Sequence, residues 1–474
     1  MEFAFLHTMK FELLLTLLLF ILLFLKISCK GNNTSVLRIT YWLLLLNFIL
    51  GFFWNEESSL FGDSFRMNQL LGLEKNILNL ALLIISLTSY NWLKNHKHLP
   101  EFFMLLLSST LGLFFMMSSG NLLMFYLGLE LSTIPVAALC NFDLDKKVSS
   151  EAAMKMIMSS AFSSAILLFG ISLLYGSTGT ISFTELPYVL NGSMIQSLAF
   201  ILFFTGFAFK LSVVPFHLWT ADVYEGSPIA VTAFLSVVSK GAMSFVFISV
   251  LFHAFSSLVG VWYYALLVSA AITILAGNIF ALRQENLKRF FAFSSIAQVG
   301  YILIGIASVS LPSSYQHGTA SVIFFILIYV FSNLAAFGVI SIISSLTGKE
   351  TIGEYKGLYR SNPTLALILS LALFSLAGIP PTAGFFGKLF LLTSGAATGA
   401  WWIIIFAALN MMVSLYYYLR VIRAMFVDEA GEPLQKISVA GPVLAALFLC
   451  VAGILVTGFV SKTFDVIFNL AANL

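Results

Sequence analysis

Charged residues are scarce in this sequence. Only 9% of its 474 residues are Asp, Glu, Lys or Arg, whereas 59% are hydrophobic. Because a soluble domain carries about 25% charged residues, the composition excludes an ordinary soluble fold and indicates that lipid is the solvent for most of the chain. The net charge of +3 is too small to indicate nucleic-acid binding.

Cysteine is also nearly absent. Cys29, Cys140 and Cys450 are far apart and lie in or near apolar segments, so they define neither a disulfide framework nor a metal pair. No Cys set suits an iron–sulfur cluster, and no P-loop or GxGxxG motif follows a plausible strand. We therefore expect no metal and no cofactor in this chain.

Long apolar segments recur throughout the sequence. Each is long enough to cross about 30 Å of hydrocarbon as a helix, and short loops link them. The sequence predicts an all-α polytopic membrane protein with about 14 transmembrane helices. The predicted segments are 9–28, 38–54, 75–94, 101–118, 120–140, 152–175, 195–220, 228–252, 260–282, 288–310, 319–346, 363–393, 399–425 and 438–461.

The basic residues support this layout. Of the 24 Lys and Arg residues, 17 fall on one side of the predicted membrane, and four (Lys10, Arg66, Lys75 and Lys462) fall on the other. The positive-inside rule then assigns the basic side to the cytoplasm and, with an even number of spans, both termini to the opposite side. The last three, Lys210, Lys240 and Lys388, fall within predicted spans.

Four ionisable side chains are predicted to lie deep in the membrane. They are Glu130, which is the only acid predicted at mid-span, together with the three lysines. A charge at the bilayer centre costs about 2.5–3.5 kcal/mol on insertion scales, so such residues face the protein interior and are commonly functional. We interpret the four as a proton-transfer set in which Glu130 and Lys210 pair. Structural pairing of the lysines is the simpler alternative.

Prolines interrupt two of the helices that carry these lysines. Pro215 follows Lys210 by five residues, and Pro380 and Pro381 precede Lys388. Proline lacks an N–H and displaces the carbonyl of the preceding turn, which frees backbone carbonyls beside the lysine. Interrupted spans at two positions of one chain are typical of ion paths in transporters.

Other polar residues are weaker candidates for a proton path. His217 is predicted to lie near the cytoplasmic end of the seventh span. Tyr329, Ser332 and Asn333 lie on the eleventh span, between Lys240 and Lys388. Simple helix–helix hydrogen bonding is the alternative role for the last three.

Four sequence runs are specific enough to carry a family resemblance. They are FAFKLSVVPFHLWTADVYEGSP at 207–228, TAFLSVVSK at 232–240, RFFAFSSIAQVGY at 289–301 and SLAGIPPTAGFFGK at 375–388. They resemble the antiporter-like subunits of respiratory complex I and of multisubunit sodium/proton antiporters. Within this group the sequence is most similar to the N-type subunits of NADH–quinone oxidoreductase. It has a lysine after Ile-Pro-Pro where M-type subunits have glutamate, and it lacks the long C-terminal extension of L-type subunits.

The resemblance implies an architecture. It implies a three-helix segment (1–100), two inverted five-helix repeats (101–255 and 256–428) with broken helices 7 and 12, and a C-terminal helix (429–474). It also implies a role for each buried charge. Glu130 would gate proton transfer with Lys210 as its partner, Lys240 would relay the proton, and Lys388 would release it.

The resemblance further implies a proton-translocating membrane-arm subunit of complex I in a bacterial inner membrane, with both termini in the periplasm. Its partners would be an M-type neighbour and K- and J-type small subunits. NADH, FMN, iron–sulfur clusters and quinone would bind to partner subunits. The alternatives are a cation/proton antiporter subunit, a permease for anionic solutes, a purely structural subunit and a plastid origin.

Overall fold

The computed structural model describes residues 2–28, 32–311, 313–429 and 434–472. Cys29, which the sequence analysis named, lies outside the described residues. Cys140 and Cys450 are buried and free.

Helices dominate the described residues, and their bounds follow the predicted segments closely. The principal helices are α1 Lys10–Ile27, α2 Asn33–Leu50, α3 Gln69–Thr88, α4 Leu99–Met117, α5 Leu122–Cys140, α6 Lys147–Thr178, α7 Met194–Leu211, α8 Leu218–Gly226, α9 Ile229–His253, α10 Val259–Leu282, α11 Leu287–Ala307, α12 Tyr315–Thr347, α13 Pro363–Ala377, α14 Ala383–Ala397, α15 Trp401–Phe426, α16 Gly441–Phe459 and α17 Lys462–Ala471. Short helices occupy Glu2–Thr8, Tyr90–Lys94, Leu186–Val189 and Leu358–Ser361, and 3₁₀ turns occupy Ser256–Leu258, Ser308–Ser310 and Ile352–Tyr355.

Twelve of the described helices are long and apolar enough to cross a membrane. Helix α1, with 18 residues, matches the first predicted span. The pair α13 and α14, with 15 residues each, matches the predicted broken span at 363–393. The chain is therefore an all-helical polytopic membrane protein, as predicted.

Helix α17, Lys462–Ala471, follows the last predicted span and was not predicted, and neither was a β-hairpin. A two-stranded antiparallel hairpin, β1 Ser58–Leu60 and β2 Phe65–Met67, joins α2 to α3. The Arg66 N–H donates to the Ser118 carbonyl at 2.8 Å, which ties the hairpin to the end of α4. We call the side of the bundle that carries this hairpin the hairpin face, and the side that carries loops 141–146 and 283–286 the basic face.

Helix α3 begins earlier than predicted, and this places two charged residues inside the bundle. The predicted span began at Lys75, but the helix begins at Gln69, because the Asn68 side chain caps it by accepting the Leu71 N–H at 2.8 Å. Glu74 and Lys75 therefore lie inside the helix, where both are buried.

Helices α9, α11 and α12 form the centre of the bundle. In the most apolar stretch of each of these helices, between 94% and 100% of the residues are buried, whereas only 28% are buried in that of α2. Neighbouring helices therefore surround these three, and their polar side chains are shielded from lipid. This central position is what allows a polar row to exist at mid-depth.

Helices α4 and α5 approach most closely at Gly112 and Gly128. A Cβ on Gly128 would lie 2.6 Å from the Met116 backbone nitrogen, and a Cβ on Gly112 would lie 2.7 Å from the Leu131 carbonyl carbon. Small residues at such crossings let membrane helices pack backbone to backbone. This contact also sets the position of Ser132, whose carbonyl accepts the Ser109 hydroxyl at 2.7 Å.

We expect Gly128→Ala to destabilise the protein by about 1–3 kcal/mol, because the added methyl group has no room against α4. Gly176→Ala is the matched control, since no atom lies within 4 Å of its added Cβ. Thermal unfolding of the purified protein measures the difference. Equal melting temperatures for the two variants would contradict the close-packing argument.

Candidate functional site

The predicted break after Lys210 is present. Helix α7 ends at Leu211, Ser212 adopts a left-handed conformation (φ 66°), and α8 begins at Leu218. Two hydrogen bonds hold the broken segment: the Thr220 hydroxyl donates to Ser212 Oγ at 2.7 Å, and the Trp219 indole N–H donates to the Phe209 carbonyl at 3.1 Å.

Lys210 is 5% exposed and donates to the Ser132 hydroxyl at 3.2 Å. Ser132 in turn donates to the Leu129 carbonyl at 2.7 Å. The predicted direct pair between Glu130 and Lys210 is not formed in this structure, since no carboxylate of the described chain lies within 4.0 Å of the Lys210 ammonium. Glu130 is only half-buried, and its Oε1 has no hydrogen-bond partner among the described residues.

Lys240 lies in the centre of the bundle and is 3% exposed. It follows a π-helical turn, Leu235–Ser239, within α9. Its ammonium group donates to the Ser295 hydroxyl of α11 at 2.8 Å and lies 5.6 Å from the centre of the Tyr224 ring. π-Helical turns are frequent at functional sites, and here the turn precedes the buried lysine directly.

The three predicted path residues of α12 lie between the helices that carry Lys240 and Lys388. Tyr329 and Asn333 both contact Ser236 of α9, with the Tyr329 hydroxyl at 3.1 Å and the Asn333 amide donating at 2.5 Å. Ser332 faces the other way and donates to the Ser375 hydroxyl of α13 at 2.7 Å. Helix α12 thus contributes polar groups toward both lysine-bearing regions.

Lys388 is 1% exposed and lies at the second break. Helix α13 ends at Ala377, and Gly378 continues the chain with φ 86° before α14 begins at Ala383. The ammonium group donates to the Leu376 and Ala377 carbonyls at 2.8 and 3.2 Å. These are freed carbonyls at a helix C-terminus, which carries partial negative charge and suits a cation. The Tyr301 ring lies 5.1 Å from Lys388 Nζ.

His217 does not lie at the cytoplasmic end of a span, as the sequence suggested. It lies in the break just before α8, where it is 7% exposed, and its Nδ1 has no hydrogen-bond partner among the described residues. The sequence placed it at the end of the span because the predicted span stopped at residue 220, whereas α8 continues to Gly226.

A cavity of about 540 Å³ opens on the basic face, close to the end of α8. Its lining includes Glu225, Ser227, Lys288 and Glu350, and the last two form an ion pair at 3.2 Å. Beside it, Arg289 binds Asp222 at 2.8 Å and Glu225 at 2.7 Å.

The sequence analysis missed a second set of buried charges. Glu12 of α1 and Lys75 of α3 form an ion pair at 2.5 Å, with side-chain exposures of 1% and 0%. Lys75 also donates to the Ser118 hydroxyl at 2.6 Å. Lys10, predicted at the outer end of the first span, is 8% exposed and donates to the carbonyls of Phe53 and Trp54. Glu130 is therefore not the only acid within the bundle.

No group of three or more His, Cys, Asp or Glu side chains suited to a metal ion occurs within the described part of the chain. The three buried lysines lie against hydroxyls and carbonyls, which are groups that can hold and pass protons. Two broken helices and a polar row inside an apolar bundle define the class of antiporter-like membrane proteins.

Comparisons with known proteins support this class. The family described as NADH:quinone oxidoreductase/Mrp antiporter, TM, matches residues 119–414. The NADH-quinone oxidoreductase subunit N of Phocaeicola vulgatus is 42% identical over 473 residues, covering 99% of both chains. That of Azobacteroides pseudotrichonymphae is 46% identical over 412 residues, covering 86% of this chain and 85% of the relative.

Solved structures show the same fold. A chain of respiratory complex I from Thermus thermophilus superimposes with a TM-score of 0.78 at 28% identity, over 95% of this chain and 98% of that one. A chain of the Mrp complex from Dietzia superimposes with a TM-score of 0.87 at 21% identity, over 99% and 97%, and this likeness concerns the fold alone.

The chain belongs to the NADH:quinone oxidoreductase/Mrp antiporter transmembrane family. Within that family it falls among the N subunits of NADH-quinone oxidoreductase, the proton-translocating membrane-arm subunits of complex I. It is a multi-pass membrane protein of bacterial complex I and works together with the other subunits of that complex.

Proposed function

We propose that this chain moves protons along a row of groups at mid-depth. Glu130 gates the row, Lys210 is its switchable partner, Lys240 relays the proton and Lys388 releases it. In the described conformation Glu130 and Lys210 are apart, so closing this pair is the switching event. At an effective dielectric of about 20, a pair at 4 Å interacts by about 4 kcal/mol. Moving one charge against 100 mV requires about 2.3 kcal/mol.

One observation carries this proposal. Lys210, Lys240 and Lys388 are each at least nine-tenths buried, yet no carboxylate of the described residues lies within 4.0 Å of any of the three ammonium groups. Lysines that serve only as structural ions are expected to be paired. A buried lysine held by hydroxyls and carbonyls is instead suited to gain and lose a proton.

The contacts of α12 support a path between Lys240 and Lys388. Tyr329 and Asn333 reach the Lys240 helix through Ser236, and Ser332 reaches α13 through Ser375. Hydroxyl and amide groups at such spacing can order a chain of water molecules. His217, beside the first break, is proposed as part of the inlet that connects the cavity on the basic face to Lys210.

We propose that the chain crosses the membrane 14 times, with both termini in the periplasm. The charge distribution supports this orientation, because only four of the 24 Lys and Arg residues, Lys10, Arg66, Lys75 and Lys462, are assigned to the hairpin face. The two broken helices fall in different segments, 101–255 and 256–428, in keeping with two inverted five-helix repeats.

The partners and cofactors follow the same proposal. The chain would lie in a bacterial inner membrane between an M-type antiporter-like neighbour and the K- and J-type small subunits. It would bind no cofactor itself. NADH, FMN, iron–sulfur clusters and quinone would belong to partner subunits, so the chain would receive its energy as a conformational or electrostatic signal.

Lys388→Met tests the proposal in the assembled complex. We expect fewer protons pumped per NADH oxidised in membrane vesicles, because the releasing group is lost while the Lys210–Lys240 step remains. Lys462→Met is the matched control, since Lys462 is exposed. Unchanged pumping by an assembled Lys388→Met complex would assign the lysine a structural role only.

A further inference from the structure

A second large cavity opens on the hairpin face. It has a volume of about 580 Å³ and lies where α3, α9 and α12 meet. Glu57, Asp63, Arg66 and Glu74 contribute its charged lining. Glu57 and Asp63 are exposed near the mouth, whereas Glu74 is only 7% exposed. The cavity therefore extends from solvent-accessible acids to a buried one.

Glu74 lies on α3, which packs against α9 beside Lys240. Leu78, one turn after Glu74 on α3, packs against Gly241, the residue that follows Lys240. A Cβ on Gly241 would lie 3.1 Å from Leu78 Cδ2 and 3.2 Å from Ile326 Cγ2. Four residues of helix span about 6 Å, so Leu78, Gly241 and Ile326 lie about one turn from Glu74 toward Lys240, and we call these three residues the apolar layer.

Two further side chains make this cavity polar enough to hold water. The hydroxyls of Tyr315 and Thr319 are buried, line the cavity and have no hydrogen-bond partner among the described residues. Their side chains are 7% and 1% exposed. Buried polar groups are nearly always hydrogen-bonded, and a polar cavity of this size holds water that can satisfy them.

Glu74 is also available to take a proton. Its neighbour Lys75 is engaged by Glu12 at 2.5 Å and by Ser118 at 2.6 Å, on another side of α3. Lys75 is thus neutralised by Glu12, and Glu74 lines the cavity together with Arg66.

We propose that this cavity is a second outlet, in addition to release at Lys388, that takes protons from Lys240, and that Glu74 is the group that receives them. The inference rests on the proposed proton-translocating function. An N–H bond of the Lys240 ammonium breaks and leaves a neutral amine, water that enters the apolar layer carries the proton, and an O–H bond forms on the Glu74 carboxylate. That bond then breaks and the proton passes to the water of the cavity. Lys210 reloads Lys240.

The test measures protons pumped per NADH oxidised in vesicles that contain the assembled complex. We expect Glu74→Gln to lower this yield toward that of Lys240→Met, and Glu74→Asp to restore it, because aspartate still carries a proton. Glu56→Gln is the control, since Glu56 is exposed and does not line the cavity. Gly241→Ala is expected to lower the yield without changing any charge, because its methyl group fills the apolar layer.

A wild-type yield in Glu74→Gln, or a loss that Glu74→Asp does not restore, overturns the outlet. If Glu74→Gln fails to assemble, a wild-type yield in Gly241→Ala overturns it. The measurements distinguish a failure of the proposed proton-translocating function from a failure of the outlet. A wild-type yield in Lys240→Met removes the proposed function, whereas a loss in Lys240→Met with none in Glu74→Gln removes the outlet alone.

Discussion

Lys240→Met is expected to slow proton transfer through this chain by about 100-fold or more, the usual contribution of a positioned proton-transfer group. Lys240 is the central link, because it lies in the middle of the bundle between the regions of Lys210 and Lys388. Methionine fills similar volume but cannot carry a proton. The measurement is the number of protons pumped per NADH oxidised by the assembled complex, compared with that of the wild-type complex.

The contacts of Lys240 also define its control. Ser295→Ala removes the hydroxyl that accepts from the ammonium at 2.8 Å but leaves the lysine in place. We expect a smaller loss in this variant than in Lys240→Met, since water can replace the hydroxyl. If Ser295→Ala and Lys240→Met lower pumping equally, the position of the helix rather than the lysine itself would account for the effect.

Glu12→Gln is expected to destabilise the protein by about 3–5 kcal/mol, because it leaves the Lys75 ammonium buried without its counter-charge. The pair is 1% and 0% exposed, and the rings of Phe65 and Phe114 lie within 5.1 and 5.7 Å of Lys75 Nζ. Thermal unfolding of the purified protein measures the loss. The double variant Glu12→Gln, Lys75→Met is expected to recover much of it, since it removes both charges.

A surface pair provides the comparison. Lys26 and Glu101 form an ion pair at 2.6 Å, but their side chains are 46% and 30% exposed. Exposed pairs contribute about 0–1 kcal/mol, so Lys26→Gln should change the melting temperature little. A loss in Lys26→Gln as large as that in Glu12→Gln would contradict the role assigned to burial.

The breaks and the deep lysines were predictable because their causes are local. Pro215 and the Pro380–Pro381 pair end helices through their own covalent structure, whatever packs around them. Because proline frees the carbonyls of the preceding turn, Lys388 was predicted to lie beside free carbonyls. The carbonyls of Leu376 and Ala377 accept hydrogen bonds from its ammonium group.

The position of α3 shows where local reasoning failed. The predicted span began at Lys75, although the Asn68 cap and the leucines after it favour an earlier start. The partner of Lys75, Glu12, lies 63 residues away in sequence. No local pattern could show that the two charges neutralise each other, since that depends on how α1 packs against α3.

The sequence by itself determined the lipid-embedded helical bundle, the succession of spans, the two interruptions and the three lysines within apolar segments. Hydrophobicity, proline chemistry and charge distribution act over one or two helical turns, so they can be read along the chain. Only the tertiary structure decided that Lys210 meets Ser132 rather than Glu130, that Lys240 meets Ser295, and that Glu74 faces a cavity. Those contacts join helices distant in sequence, and close packing between the helices determines them.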